Sequence, residues 1–413
     1  MVKLAQRKLE DYASVVGAQA IREIRILASN LQGARVQHLN STAEGGGVAE
    51  LLATLVPLMR DAGLDASWDV IAGNPEFFEV TKTLHNNLQG QRQPLTARMR
   101  KTFWETTQAN LHLVRPDADF VCTHDPQPVG LVRERTERAR WLWRCHIDLS
   151  EADPGSWGFL RQVVERYDGS IFHLGEYARD LSLPQFLCPP AIDPLSSKNC
   201  ELDPAEVAQV LERYQIDPKL PILMQVSRYD RAKDPVGVVR AFEIAARSHP
   251  CQLVLVGNAV SDDPEGERVL AEVREAAQGV PDVHVLVMGP GTSREVNALQ
   301  RAATIVLQKS LKEGFGLTVT EAMWKGKPVI GGAVGGIRAQ LLQGTTGFLV
   351  HSIEGAAYRI RQLLGNPELA RQVGAQAKRY VAENFLPPTY LKRWLMCLLA
   401  LKHGTASPVI ALR

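Results

Sequence analysis

The sequence has almost no excess of charge of either sign: 47 Lys and Arg stand against 45 Asp and Glu, for a formal net charge of +2. Nothing in that balance calls for nucleic acid or a membrane surface as a partner. The densest basic stretch, Arg133 to Arg144, is interrupted by Glu134 and Glu137 and reads as a solvated helix face. Long hydrophobic runs are missing, and none approaches the ~20 apolar residues of a membrane span. Met1 to Asp11 are polar and charged, without the apolar stretch of a signal peptide. Cysteines are few and scattered (122, 145, 188, 200, 251, 397), with no Cys-x-x-Cys pair. Cys122 and Cys251 lie inside apolar strand runs, which predicts reduced, buried thiols rather than a disulfide framework. Together these absences predict a soluble, cytoplasmic protein.

What is present fits two α/β domains. A chain of 413 residues with 45% hydrophobic and 22% charged residues can fill two full cores. Strand patterns at Arg35–Asn40, Trp68–Ile71, Asp119–Thr123, Trp141–Asp148 and Ser170–Leu174 alternate with helical ones at Val48–Ala62 and Trp157–Tyr167. The alternation restarts at Ile222–Val226, after a proline-rich crossing from Cys188 to Pro194 that reads as the linker. The expected division is 1–190, joined by a C-terminal helical segment within 387–413, and 191–386. Strands alternating with helices throughout predict parallel, doubly wound sheets.

The second half carries the most informative stretch. Apolar Thr304–Leu307 reads as a strand, and Glu313-Gly314-Phe315-Gly316-Leu317-Thr318-Val319-Thr320-Glu321 leads into a helix closed by Gly326 and Pro328. Glycines at a strand-to-helix junction let the backbone approach a ligand, and the first-turn N–H groups form an anion site suited to phosphate. Glu321, about one turn into the helix, could accept hydrogen bonds from a sugar diol, and Glu313 from a second polyol. The bland alternative is a glycine loop whose carboxylates favour a helix N-terminus. Arg228 and Lys233 follow the first strand of this half, at the sheet edge where doubly wound folds bind ligands. They could face a diphosphate; surface ion pairs with Asp230 or Asp234 are the competing reading.

In the first half, tandem Gly45-Gly46-Gly47 after the first strand could admit a sugar hydroxyl or phosphate, or could be a merely flexible loop. The stretch lacks Gly-x-Gly-x-x-Gly, so no dinucleotide site is expected. Asn74 to Gly90 mixes aromatics and amides and reads as a long functional connection. Prolines after His124-Asp125 break the strand there, leaving both residues at its carboxyl end, and His146 ends the next strand. A histidine in such a place is otherwise a satisfied core residue. Asp117-Ala118-Asp119 precedes its strand, so it reads as a solvated strand entry rather than a metal site.

Two carboxylates eight positions apart around Gly-Phe-Gly resemble the Glu-x7-Glu signature of retaining nucleotide-sugar glycosyltransferases of GT-B fold, with two Rossmann-like domains. Arg228 with Lys233, and Pro328-Val329-Ile330 leading to Gly335-Gly336-Ile337, look like the donor half of the sucrose- and trehalose-synthesising branch. Phe77–Lys82, His85–Gly90, His124–Pro128 and Arg144–Asp148 are similar to the trehalose glycosyltransferring synthase family. The similarity covers nearly the whole chain and is weakest over the first ~30 residues. Trehalose phosphorylases share much of the pattern but are longer, with a large N-terminal region not expected here.

The resemblance implies transfer of glucose from ADP- or UDP-glucose to glucose, giving α,α-trehalose with the α configuration retained. Arg228, Lys233, Glu313 and His146 would be catalytic. Gly314, Phe315, Gly316, Leu317, Glu321, Gly46 and Gly47 would bind the nucleotide sugar. His124, Asp125, Asn86 and Gln89 would bind the acceptor. No cofactor and no metal is implied, and family members are often dimers. Alternatives are a trehalose phosphorylase, a retaining transferase with another hexose or sugar-phosphate acceptor, a nucleotide-sugar sensor without turnover, and a GT-B epimerase. The donor base, preferred direction, strictness toward the acceptor and oligomeric state are open at this level.

Overall fold

The computed structural model describes residues 1–258, 264–289, 291–405 and 408–412. The chain divides into two compact units, Met1–Ala191 with Pro387–Arg413, and Ile192–Leu386.

In the first unit the strands are β1 (Arg35–Asn40), β2 (Asp65–Val70), β3 (Phe120–His124), β4 (Arg140–Arg144), β5 (Gly169–Phe172) and β6 (Gln185–Leu187). Their alternation sorts side chains to two apolar layers. Val36, Phe120, Cys122, Leu142 and Ile171 enter the layer that holds Trp68 and Trp394, whereas Leu39, Val121, Trp141, Trp143 and Phe172 enter the other. His38, His124 and Arg144 share the parity of the first set, so they point toward the layer containing Trp394.

The second unit contains β7 (Ile222–Val226), β8 (Gln252–Asn258), β9 (Val283–Met288), β10 (Ile305–Gln308), β11 (Val329–Gly332) and β12 (Phe348–Val350), in the order β12-β11-β10-β7-β8-β9. All pairs are parallel. The neighbours β7 and β10 are joined to their partners by crossovers on opposite sides, so the loops after β7 and β10 share one edge, where such folds bind ligands.

The tail belongs to the first unit. Helix Pro387–His403 buries Tyr390, Leu391, Trp394, Leu395 and Leu398 there. A last strand, β13 (Val409–Ala411), pairs with β6 and completes the order β13-β6-β5-β4-β3-β1-β2. All six cysteines are free, and all but Cys200 are buried. Among the described residues no helix is long and apolar enough to cross a membrane.

Three expectations fail here, each for a local reason. The expected connection 74–90 is mostly helix, Pro75–Leu88. Asn74 caps it by accepting from Phe77 N, Pro75 suits the first turn, and Phe77, Val80, Leu84 and Leu88 fall on one buried face. The basic stretch 133–144 is no helix face: it runs from a 3-10 turn (Val129–Glu134) through a loop into β4, and Arg144 is fully buried. The fourth strand stops at Arg144, so Cys145 to Asp148 lie beyond it. Helix Ala97–Asn110 had no signal in the sequence, because Phe103 is the single large apolar residue it buries.

Candidate active site

In the second unit the loops after β7 and β10 are tied together. Leu311 N donates to Ala232 O at 2.8 Å, and Gln225 Nε2 donates to Lys233 O at 2.8 Å. That frame brings Lys233 Nζ to 2.7 Å from Glu313 Oε2, with both side chains largely buried (16% and 12% exposed). Ser310 Oγ donates to the same carboxylate oxygen at 3.3 Å. Arg228 is not drawn into this pair. It is 62% exposed and meets Asp230 at 3.0 Å, the surface contact weighed above. Asp234 pairs not with either of these cations but with Lys309, and caps helix Pro235–Ala246.

The glycine turn is held from behind. Gly316 has φ +84°, and helix Leu317–Trp324 starts on it. Gln340 Nε2 donates to Phe315 O at 2.6 Å, while its Oε1 accepts from Thr320 at 2.6 Å. Gly336 packs so closely that an added Cβ would collide with Phe315 Cα. Val319 N donates to Gly316 O at 3.0 Å, while Leu317 and Thr318, the first two residues of the helix, are only half-buried, at the end where a helix favours an anion. Glu321 is 7% exposed on the same helix. Lys325, one turn on, donates to Asn199 Oδ1 at 3.0 Å and Gln300 Oε1 at 2.8 Å; burial pushes its ammonium down and Glu321 opposes the shift.

In the first unit the carboxyl ends of β1, β3, β4 and β5 carry a row of imidazoles. His38 Nδ1 lies 3.0 Å from His124 Nε2, and His124 Nδ1 lies 3.0 Å from His146 Nε2. His173 Nε2 reaches His146 O at 3.1 Å, and Arg144 donates to His173 Nδ1 at 2.8 Å and to Cys188 O at 2.7 Å. Since Arg144 can only donate, His173 Nδ1 must accept, so its proton is on Nε2 and is given to the His146 carbonyl. Burial pushes His124, His146 and His173 well below the ordinary imidazole value, with the Arg144 charge adding to it, and takes His38 to about 3.

Asp125 adopts φ +62° and accepts from His146 N at 2.7 Å. Burial pushes its carboxyl up to about 7. His124, expected to touch the acceptor, is 2% exposed, and both its ring nitrogens face histidines, His38 and His146, rather than open space. Asn86 and Gln89 lie, partly buried, at the end of helix Pro75–Leu88. The amide bound most firmly there is Asn87, which bonds Gln93 and Ser156. Gly45 and Gly46 have φ +72° and +91°, and Gly46 caps helix Gly47–Asp61 with Gly47 as its first residue. Asp117 and Asp119 pair with Arg35, Arg115 and Arg138 as a strand entry. Among the described residues no group of three His, Cys, Asp or Glu is arranged to hold a metal.

Residues 38–179 match the family described as trehalose synthase, N-terminal domain, and residues 208–380 match glycosyl transferases group 1. The trehalose synthase of Pyrococcus horikoshii is 46% identical over 400 residues, covering 94% of this chain and 95% of its own. The chain belongs to the trehalose synthase family. A second relative, the trehalose synthase of Rubrobacter xylanophilus, is 40% identical over 95% of this chain and 96% of its own. Membership makes the chain a glycosyltransferase. The fold is GT-B: the structure of Anabaena Alr3699/HepE in complex with UDP and glucose covers 89% of this chain and 100% of its own, with TM-score 0.67 at 16% identity.

The match to the trehalose synthase N-terminal domain spans the whole imidazole row, and the match to glycosyl transferases group 1 spans Arg228 to Glu321. Sequence reasoning had found His124, His146, Lys233 and Glu313 but missed His38, His173 and the burial of Arg144. A signal was present for His173, which stands just past the end of β5 as His146 stands past the end of β4, but His38 lies inside β1 with no such mark.

Proposed function

We propose that the protein transfers glucose from a nucleoside diphosphate glucose to glucose and forms α,α-trehalose with retention. The C1–O bond to the diphosphate breaks, a bond from C1 to the acceptor's anomeric oxygen forms, and the acceptor proton goes to the departing phosphate on the same face. The observation that carries this reading is the Lys233–Glu313 pair beside the glycine turn. A cation next to a helix N-terminus stabilises the charge of a departing diphosphate, and a carboxylate held by that cation can accept from a sugar hydroxyl. No carboxylate pair in the sequence suits a double displacement. Arg228 needs only to leave Asp230 to join Lys233 on the diphosphate. Glu321 serves the ribose, and His146 the transferred sugar. Asp125, Asn86 and Gln89 serve the acceptor, and Gly46 and Gly47 serve the nucleotide sugar. The proposed reaction needs no metal, because the protein's own cations meet the diphosphate.

Support for the nucleotide donor comes from the GT-B neighbour that holds UDP and glucose. We place the enzyme in the cytoplasm, as a homodimer. Incubation with ADP-glucose and UDP-glucose, each with and without glucose, tests the proposal. Trehalose and free nucleotide formed only with glucose are expected. Turnover of donor without acceptor, or trehalose cleavage that requires phosphate, would contradict it.

A further inference from the structure

His38, His124 and His146 are joined end to end, and a row of neutral imidazoles has two self-consistent proton arrangements. Each neutral ring carries one N–H and one lone pair. Burial holds all three rings in the neutral form near pH 7. In the first arrangement His38 Nδ1 donates to His124 Nε2, and His124 Nδ1 donates to His146 Nε2. His146 then keeps its own proton on Nδ1. In the second every donor is reversed, and His38 must carry its proton on Nε2.

That nitrogen decides between them. His38 is fully buried and its Nε2 has no hydrogen-bond partner among the described residues. An orphaned N–H in the interior is rarer and costlier than an orphaned lone pair. The ring packed against it, Trp394 at 5.1 Å between centroids, has no acceptor nitrogen or oxygen to offer. We propose that His38 fixes the tautomer of His146 through His124, so that His146 presents an Nδ1–H donor, not a base, to the sugar. His38 and His124 are positioning residues. The backbone of His146 is pinned at the same time, its N–H by Asp125 and its carbonyl by His173. The ring can therefore offer that donor in one place. The sugar's position rests on the function proposed above; the tautomer does not.

Long-range ¹H–¹⁵N NMR of the substrate-free, histidine-labelled protein tests it. Protonated Nδ1 and unprotonated Nε2 are expected at both His124 and His146. A proton on His146 Nε2 would overturn the proposal. In His38→Phe, His146 should become a mixture of tautomers, and kcat should fall about tenfold, the size of one lost neutral hydrogen bond, with KM unchanged within about twofold. His38→Asn, whose amide can donate from nearly the same place, should recover most of kcat. A folded His38→Phe with wild-type tautomers and wild-type kcat contradicts the proposal. If that variant does not fold, the wild-type spectrum alone decides. The expected tautomer in a protein that makes no trehalose would instead strike the proposed function.

Discussion

Lys233 Nζ and Glu313 Oε2 lie 2.7 Å apart although 80 residues separate them in the chain. The bond from Leu311 N to Ala232 O joins the loops after β7 and β10, and Gln225 of β7 holds the Lys233 carbonyl, so the two side chains meet. The pair does two things at once: it keeps a largely buried carboxylate from standing alone, and it holds a cation beside the Gly316 helix end.

Lys233→Ala should lower turnover by about 10²–10³-fold, the loss usual for one group that stabilises developing charge. Affinity for the free nucleotide should fall much less, since the charge acts mainly on the departing diphosphate. Turnover close to wild type would remove Lys233 from the mechanism.

Glu321→Ala should weaken nucleotide binding by about 1.5–3 kcal/mol, the range for a hydrogen bond to a charged group. It also leaves the Lys325 ammonium buried without the carboxylate that favours its charge, so melting temperature should drop as well. Calorimetry that finds unchanged nucleotide affinity, with the fold weakened, would assign Glu321 to holding Lys325 alone.

Acid should destabilise the first unit before general acid unfolding. His38, His124, His146 and His173 have folded values below the ordinary 6.5, so the unfolded chain takes up their protons first. Stability is therefore lost as pH falls below about 6.5, by about 1.4 kcal/mol per pH unit for each proton of difference. Asp125 has the opposite sign: raised from 3.8 to about 7, it favours the fold below 7 and offsets one histidine. Thermal unfolding at pH 7 and pH 5.5 should show a clear drop at the lower pH, smaller in His38→Phe. A melting temperature independent of pH over that window would refute the neutral row.

Chelation should leave activity intact, because the proposed leaving group is met by Lys233, Arg228 and the helix N-terminus. Activity abolished by EDTA and restored by magnesium or manganese would require a carboxylate site that this account lacks.

Sequence patterns made the α/β alternation legible, since β1 and β7 fall on the stretches Arg35–Asn40 and Ile222–Val226 that read as strands. They failed where polar residues build regular structure. In 74–90 the amides drew attention from the period of Phe77, Val80, Leu84 and Leu88, which makes a helix of it. The Glu-x7-Glu spacing located Glu313 and Glu321, but nothing local could reveal that Lys233 would meet Glu313 while Arg228 met Asp230. The imidazole row was hidden for the same reason. His38 and His124 are 86 residues apart, and strand pairing makes them neighbours.

The central claim is tested most directly by proton NMR of the disaccharide formed from an α-configured nucleotide glucose and glucose. The donor side has cations and helix-end N–H groups and, among the described residues, no carboxylate pair suited to a double displacement, so same-face attack should retain the configuration. One spectrum reads both anomeric centres. A non-reducing product, α at both, is expected. A β linkage would contradict same-face transfer, and a reducing disaccharide would contradict trehalose as the product.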